Sequence, residues 1–209
     1  MQTIKILLVI VILLATKMIV AQCPTLNSSY NFNSQEQLDL FLDNYPNCTK
    51  ISNANRVSIH LNSNVNGTPI HDLTPLSQLT EINSSLEIIG NVWIPNQTHL
   101  TSLDGLHNLQ KLKRLFILNV NTINDLNEIC AIDSIESLSL FGTSIQEFGC
   151  TNLLVTKELI LSNLNNIQPL QEIQTRDNLE TLWISQCEKL NISTKLDQVS
   201  VAKKFIHRR

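Results

Sequence analysis

The sequence is poor in the residue patterns from which catalytic sites are built. It has only five glycines, and those at Gly90, Gly105, Gly142 and Gly149 are isolated, which excludes a phosphate-binding loop. Its five histidines share no metal-ligand spacing with cysteines or carboxylates. No nucleophile stands in a pattern with a histidine and an acid. We therefore predict that the protein is not an enzyme and has no cofactor or metal ion.

Charge is also scarce, at 16% of residues, and the formal net charge is −3. Without Lys5 and Lys17, which lie in the N-terminal segment, 13 bases remain against 18 acids, giving −5. This acidic balance is a poor match for nucleic acid or an anionic membrane. The short basic segment 201–209 is interpreted as a solvated tail. No apolar run after the N-terminal segment is long enough to span a bilayer.

The N-terminal segment 1–21 has the pattern of a secretory signal peptide. A short basic region at 1–5, which ends in Lys5, precedes a ten-residue apolar core at 6–15, and Ile19-Val-Ala21 offers a cleavage site. The core is shorter than the roughly twenty residues of a membrane span, the alternative interpretation. We therefore expect a secreted, extracellular protein with no membrane span in its mature chain.

A repeat organises the rest of the chain. At 73–88, apolar residues fall every third position and end in a step of two, and 103–117 repeats this figure. Successive closing pairs are spaced by 29, 29, 23, 21 and 23 residues. They are Val57/Ile59, Leu86/Ile88, Leu115/Ile117, Leu138/Leu140, Leu159/Leu161 and Leu182/Ile184. Such periods indicate a solenoid in which each repeat supplies one short strand and buries its apolar pair against its neighbours.

The segment before the first repeat has helical spacing instead. Its apolar residues lie at i, i+3, i+4 and i+7, namely Leu38, Phe41, Leu42 and Tyr45. Ser34 and Gln37 have the spacing of a capping box. We predict a helix over about 34–45 that covers the first repeat, because an open solenoid end would expose its core. At the other end of each strand, Asn62, Asn91 and Cys187 are predicted to satisfy backbone groups at the bend.

Five cysteines in a secreted chain predict two disulfides and one remaining thiol. Cys23 and Cys48 flank the predicted helix. Cys130 and Cys150 occupy nearly the same phase of adjacent repeats, which places them within bridging distance. We predict both pairings. Cys187 is left over, and it is either a buried thiol at a bend or an intermolecular bridge.

Six glycosylation sequons agree with secretion and mark surface positions. They are Asn27, Asn47, Asn66, Asn83, Asn96 and Asn191. Three of them, Asn66, Asn96 and Asn191, share a phase of the repeat and would form a ridge of glycans along one corner.

The sequence Cys48-TKIS, the stretch Ile70-HDLTPLSQLTEINSSLEIIGN and the stretch Leu100-TSLDGLHNLQKLKRLFI resemble the receptor L-domain family. This family occurs in the extracellular parts of the insulin and epidermal growth factor receptors. The resemblance covers about residues 23–190, although Asn53 and Asn83 stand where the family usually has glycine. It implies an α/β solenoid over 22–200: a right-handed β-helix related to leucine-rich repeats, with about six turns and a helical cap. It also implies recognition rather than catalysis.

Strand alternation predicts which side chains face outward. The residue between the two apolar positions of each strand, and the residue after them, should lie on the outer face. An apolar surface then results, formed by Phe116, Leu118, Phe141, Ile160 and Trp183. Because large apolar surfaces often mark interaction sites, we predict a partner site there.

Two functions of different classes follow. The first is a secreted recognition module that binds a peptide hormone, growth factor or receptor ectodomain through this strand face. The second is a secreted structural or matrix protein that associates with itself, through Cys187 or the same face. The chain could also be a fragment of a longer membrane receptor. The oligomeric state is open.

Overall fold

A ten-stranded parallel sheet is the main element of the protein. The computed structural model describes Cys23 and residues 29–52, 54–61, 67–91, 99–150, 153–167, 174–175, 178–190 and 200–207. The strands are β1 Tyr30–Phe32, β2 Lys50–Ile51, β3 Arg56–His60, β4 Glu81–Ile89, β5 Lys111–Leu118, β6 Ser134–Phe141, β7 Leu154–Ser162, β8 Gln174–Thr175, β9 Asn178–Ser185 and β10 Ser200–His207. The described part has one α-helix, α1 Gln35–Asn44, and two short 3₁₀ segments, Thr74–Leu76 and Asn127–Ile129.

The strands follow one another across the sheet almost in chain order. The spatial order is β1-β3-β4-β5-β6-β7-β9-β10, while β2 pairs with β4 and β8 with β7. Every pairing is parallel. Parallel neighbours need a connection that returns to the same end of the sheet, so each repeat contains one crossover.

The register aligns all six predicted apolar pairs. Val57 pairs with Leu86, Leu86 with Leu115, and the column continues through Leu138, Leu159 and Leu182. The second column runs in parallel from Ile59 to Ile184. Every one of these side chains is at most 3% exposed. The prediction of six strands is confirmed, and the two columns form the floor of one continuous core.

The three-residue spacing comes from consecutive tight turns before β4, β5 and β6. The Leu76 N–H donates to the Leu73 carbonyl at 2.8 Å, and the Leu79 N–H donates to Leu76 at 2.9 Å. The same bonds recur at Leu103, Leu106 and Leu109, at 3.0 and 2.9 Å. A main chain with i to i+3 bonds brings every third side chain to one side. The leucines on that side are at most 1% exposed, so these turns add to the core.

Four strands, β1, β2, β8 and β10, lie beyond the predicted six, and β1 and β10 stand at the two ends of the sheet. β1 pairs with β3, and β10 pairs with β9. Within β10, Lys204 aligns in register with Leu182, and Ile206 aligns with Ile184. The interpretation of 201–209 as a solvated tail is therefore wrong for 201–207, which belong to the sheet.

The bends after β5, β6, β7 and β9 each use a left-handed residue. Asn119, Asn163 and Gln186 have φ of 53°, 55° and 53°, and Gly142 has 56°. Asparagine and glycine tolerate this region better than other residues. These residues lie four positions after the first apolar residue, one position earlier than the predicted bend residues. Cys187 does satisfy backbone groups, since its thiol donates to the Ser185 carbonyl at 3.3 Å. Asn62 lies outside the described residues.

Helix α1 packs on the β1 end of the sheet. Phe41 meets Tyr30 and Phe32 edge to face, with ring centroids 6.2 and 5.6 Å apart. The buried Gln35 side chain accepts the His71 and Asp72 N–H groups, both at 3.1 Å, and so ties the helix to the first crossover. These contacts fit the predicted cap.

The predicted capping box differs in detail from the structure. Ser34 occupies the N-cap position in an extended conformation, but its side chain makes no capping hydrogen bond. Gln37 instead accepts the N–H of Asn33 at 2.6 Å. The helix is therefore held at its first turn mainly by Gln35 and Glu36, whose side chains bond to the 68–72 segment.

We expect the Glu36 carboxyl to titrate near pH 2. Hydrogen bonds from the Thr68 side chain, and then from main-chain groups and Ser34, lower its pKa to about 2 from 4.5. A carboxyl whose pKa falls on folding contributes its full stabilisation above its unfolded pKa and loses it as the pH drops. The stability difference between wild type and Glu36→Gln should therefore shrink between about pH 4.5 and 2.

An NMR titration of Glu36 measures this directly. Thr68→Val is the matched variant, because it removes the hydroxyl donor while keeping the shape of the side chain. Its titration midpoint should lie above that of wild type. A wild-type midpoint near 4.5 would contradict the contribution of Thr68.

Candidate functional site

The outer face of the long sheet carries the predicted apolar surface. Phe116 and Ile160 lie in one register row with Trp183, separated by Ser139 on β6. Leu118 and Phe141 are direct partners in the next row. The parallel register thus brings all five predicted residues onto two adjacent rows of one face.

The apolar surface is unevenly exposed. Trp183 is 42% exposed, whereas Phe116, Leu118, Phe141 and Ile160 are half-buried. The aromatic rings of Phe116 and Phe141 pack against each other, with ring centroids 5.4 Å apart. Ser139, which lies between Phe116 and Ile160 in the same register row, is only 7% exposed. The part of the surface that a partner could reach most easily is therefore at the β9 side.

Phe205 extends this surface and was missed from the sequence. It pairs with Trp183 in the register of β9 and β10, is 52% exposed, and has its ring centroid 5.1 Å from that of Trp183. Two large aromatic side chains therefore stand side by side at one end of the sheet. The sequence could have predicted this position, because Phe205 lies 22 residues after Trp183, which is close to the repeat period.

Charged residues border the start of the same strands. Glu81 lies 3.2 Å from Lys50 and 3.8 Å from Lys111. Glu136 lies 3.0 Å from Lys157. The hydrogen bond from Lys50 lowers the pKa of Glu81, and the one from Lys157 lowers the pKa of Glu136. The strand face thus has two zones, with ion pairs where the strands begin and apolar side chains where they end.

The predicted glycosylation sites are only partly described. Asn47 and Asn83 are both exposed, as a modified asparagine must be. Asn83 lies on β4, beside the charged zone. Asn27, Asn66, Asn96 and Asn191 lie outside the described residues, and so does the predicted ridge of glycans.

The cysteines pair as predicted. Cys23 bonds to Cys48 and Cys130 to Cys150, with Cα–Cα distances of 4.6 and 5.0 Å. The first bridge lies beside helix α1, and the second joins two neighbouring crossovers. Cys187 is free and half-buried, and burial raises the pKa of its thiol. Because the thiolate is the reactive form, this environment makes Cys187 a poor nucleophile at neutral pH.

Neither metal ligation nor a membrane helix is indicated in the part of the chain that the structure describes. Among those residues no group of three or more His, Cys, Asp or Glu side chains could hold a metal ion. No helix among them is long and apolar enough to cross a membrane. Comparison with protein-family models, with curated proteins and with solved structures gives no match.

Proposed function

We propose that this protein is a secreted, non-catalytic recognition module that binds a peptide hormone, growth factor or receptor ectodomain through its strand face. The exposed Trp183–Phe205 pair is the observation that carries the proposal. Aromatic side chains that lie together and remain accessible are the usual anchors of protein interfaces. The half-buried Phe116, Leu118, Phe141 and Ile160 would continue the contact along the sheet.

The proposed architecture is a right-handed solenoid of the receptor L-domain type. The unbroken register of the apolar columns supports it, as do the crossover in each repeat and the helix at the β1 end. A solenoid offers a long, flat sheet face that is suited to an extended partner surface. The proposed binding site on the strand face therefore depends on the proposed solenoid fold.

The proposed location is extracellular. Two disulfides form and persist in oxidising compartments, and they are rare in the cytosol. The signal-peptide pattern of 1–21 and the exposed sequons at Asn47 and Asn83 point the same way. All three features support an encounter with secreted or cell-surface partners.

A Phe116→Ser/Trp183→Ser double variant tests the function. Wild type and variant are screened against a library of secreted peptides and receptor ectodomains, and circular dichroism confirms that both fold. We expect the variant to bind a partner at least about 30-fold more weakly, since an aromatic anchor contributes about 2 kcal/mol or more. Leu40→Ser is the matched control, because Leu40 is 54% exposed on helix α1 at the other end of the sheet.

Three results would separate the candidate functions. Loss of binding in the double variant, with binding kept in Leu40→Ser, supports recognition through the strand face. Equal binding by all three proteins would contradict that site. A wild type that binds no partner but forms oligomers, which the double variant does not form, would favour the self-associating structural protein.

A further inference from the structure

The sheet is split at one level between β5 and β6. Residues 111–112 of β5 pair with β4, and residues 134–135 of β6 pair with β7. Between β5 and β6, however, pairing begins only at Arg114 and Ser137. At this level the two strands therefore face each other without a shared ladder. The interruption is invisible in the apolar pattern, because Leu112 and Ile135 keep their usual phase.

A groove lies at this split. It has a volume of about 690 Å³ and is lined by residues from β4 to β7 and from the segment before β6. Ile82, Leu112 and Ile135 belong to its lining and are at most 4% exposed, so they form an apolar floor. Small-ligand sites commonly have such a volume and such a floor.

Main-chain groups are available along both walls. The Lys111 N–H donates to the Thr80 carbonyl at 3.1 Å, toward β4, and the Leu154 N–H donates to the Asp133 carbonyl at 3.0 Å, toward β7. Successive residues of a strand direct their main-chain groups to opposite sides. The N–H and C=O groups of Leu112 and of Ser134 are therefore directed toward the split. Polar main-chain groups near a core require hydrogen-bond partners.

The two walls carry opposite charge. Lys111 and Lys113 belong to the β5 wall, and Asp133 and Glu136 to the β6 wall. The Lys113 and Glu136 side chains come within 4.0 Å at the end where the strands rejoin. Glu81 on β4 lies 3.8 Å from Lys111, and Lys157 on β7 lies 3.0 Å from Glu136. A residue on the next strand therefore partly neutralises the charge of each wall. The Lys111 side chain on the β5 wall remains highly exposed despite its ion pair with Glu81, and Asp133 on the β6 wall is exposed as well.

We propose that this groove binds an extended segment of a secreted polypeptide, which adds a short parallel strand between β5 and β6. Main-chain bonds to Leu112 and Ser134 would supply affinity, as in other cases of strand addition. An acidic side chain opposite Lys111 and a basic one opposite Asp133 would set its direction. This site goes beyond the proposed function, because it shares no residue with the aromatic surface and uses main-chain rather than aromatic contacts.

The test starts from random linear peptides displayed on phage and selected on the full mature protein. Selected peptides are then titrated against Ala131→Trp and Ser134→Trp, each of which places an indole in the groove. We expect both variants to bind at least about tenfold more weakly. Gln146→Trp, at an exposed position outside the groove lining, is the matched control and should bind like wild type. Circular dichroism and thiol counting verify folding and disulfides.

Two further measurements use the wild type alone, so the proposal stays testable if the filled variants do not fold. Peptide binding should slow amide exchange at Leu112 and Ser134 by about tenfold or more. Methylation of a single peptide nitrogen that bonds to the groove should weaken binding by a similar factor, since it removes a main-chain donor. Protection found only elsewhere, or tolerance of methylation at every position, would overturn the proposal. So would a selection that enriches no peptide.

The glycan predicted at Asn83 supplies a last discriminating comparison. Asn83 belongs to the lining of the groove, so its modification would place a sugar at the rim. Glycosylated wild type and Asn83→Gln are therefore titrated in parallel. Binding by both supports a peptide site. Binding by Asn83→Gln alone would overturn it, because the groove would then be covered by the protein's own glycan. The Phe116→Ser/Trp183→Ser variant should bind these peptides normally, which separates this site from the proposed function.

Discussion

Replacing Leu138 by alanine is expected to lower the free energy of unfolding by about 2–5 kcal/mol. Leu138 is fully buried on β6, and its register partners are Leu115 on one side and Leu159 on the other. The loss of burial contributes part of the effect. The remainder comes from the cavity, which neighbouring strands cannot fill without breaking the register on both sides. Urea unfolding followed by circular dichroism measures the difference.

Leu40→Ala is the matched control for this measurement. The substitution is chemically identical, but Leu40 is 54% exposed, so little apolar contact is lost. A change within about 0.5 kcal/mol is expected. Equal effects of the two substitutions would contradict the buried column as the source of stability.

Removing the Cys130–Cys150 bridge is the second change with a large expected effect. The two cysteines are 20 residues apart, and closing a loop of that length in the unfolded chain stabilises a protein by about 3 kcal/mol. The Cys130→Ala/Cys150→Ala variant should therefore unfold at markedly lower urea concentration than wild type. The bridge also anchors the segment before β6, so amide exchange at Ile132 and Asp133 should become faster.

Cys187→Ala separates the effect of the bridge from that of losing a sulfur atom. Cys187 is free and half-buried, so its replacement should change the unfolding free energy far less. A double variant as stable as wild type would contradict a structural role for the bridge. Mass spectrometry of non-reduced peptides establishes that the bridge is present in wild type.

The sequence predicted the strands well because two aligned apolar residues per strand are a strong physical constraint. A shift of one residue would turn Leu115 and Ile117 from the core to the outer face, so the pattern determines the register. The same holds for the disulfides. Cys130 and Cys150 have nearly equal phase, and the parallel register converts equal phase into proximity.

Two of the four missed strands, β1 and β10, departed from that pattern. β1 uses the aromatic residues Tyr30 and Phe32 in place of the aliphatic pair, and β10 has Lys204 at the first position. The left-handed bend residues Asn119 and Asn163 were not predicted, because their backbone conformation leaves no hydrophobic signal. The sequence was therefore least informative about strands and bends that do not carry the aliphatic pair.

The candidate site was predictable in position but not in exposure. Alternation placed Phe116 and Trp183 on one face, which the register agrees with. It could not tell that Phe116 is half-buried against Phe141 while Trp183 stays open. Side-chain exposure depends on neighbours from other strands, and Phe205 was not assigned to a strand. The groove between β5 and β6 lies where the two strands do not pair. It was not predicted, because the pairing of neighbouring strands at this level leaves no hydrophobic pattern in the sequence.

The chain-order arrangement of the strands has a mechanical consequence. A force applied across the sheet, at right angles to the strands, would load one ladder at a time instead of all ladders together. Strands would peel off in sequence, and each rupture would release one repeat of between 21 and 29 residues, the separations of the paired leucines. The Cys130–Cys150 bridge would prevent most of the chain between β6 and β7 from extending. The protein would therefore yield in small, graded extensions and keep its remaining strands intact under tension.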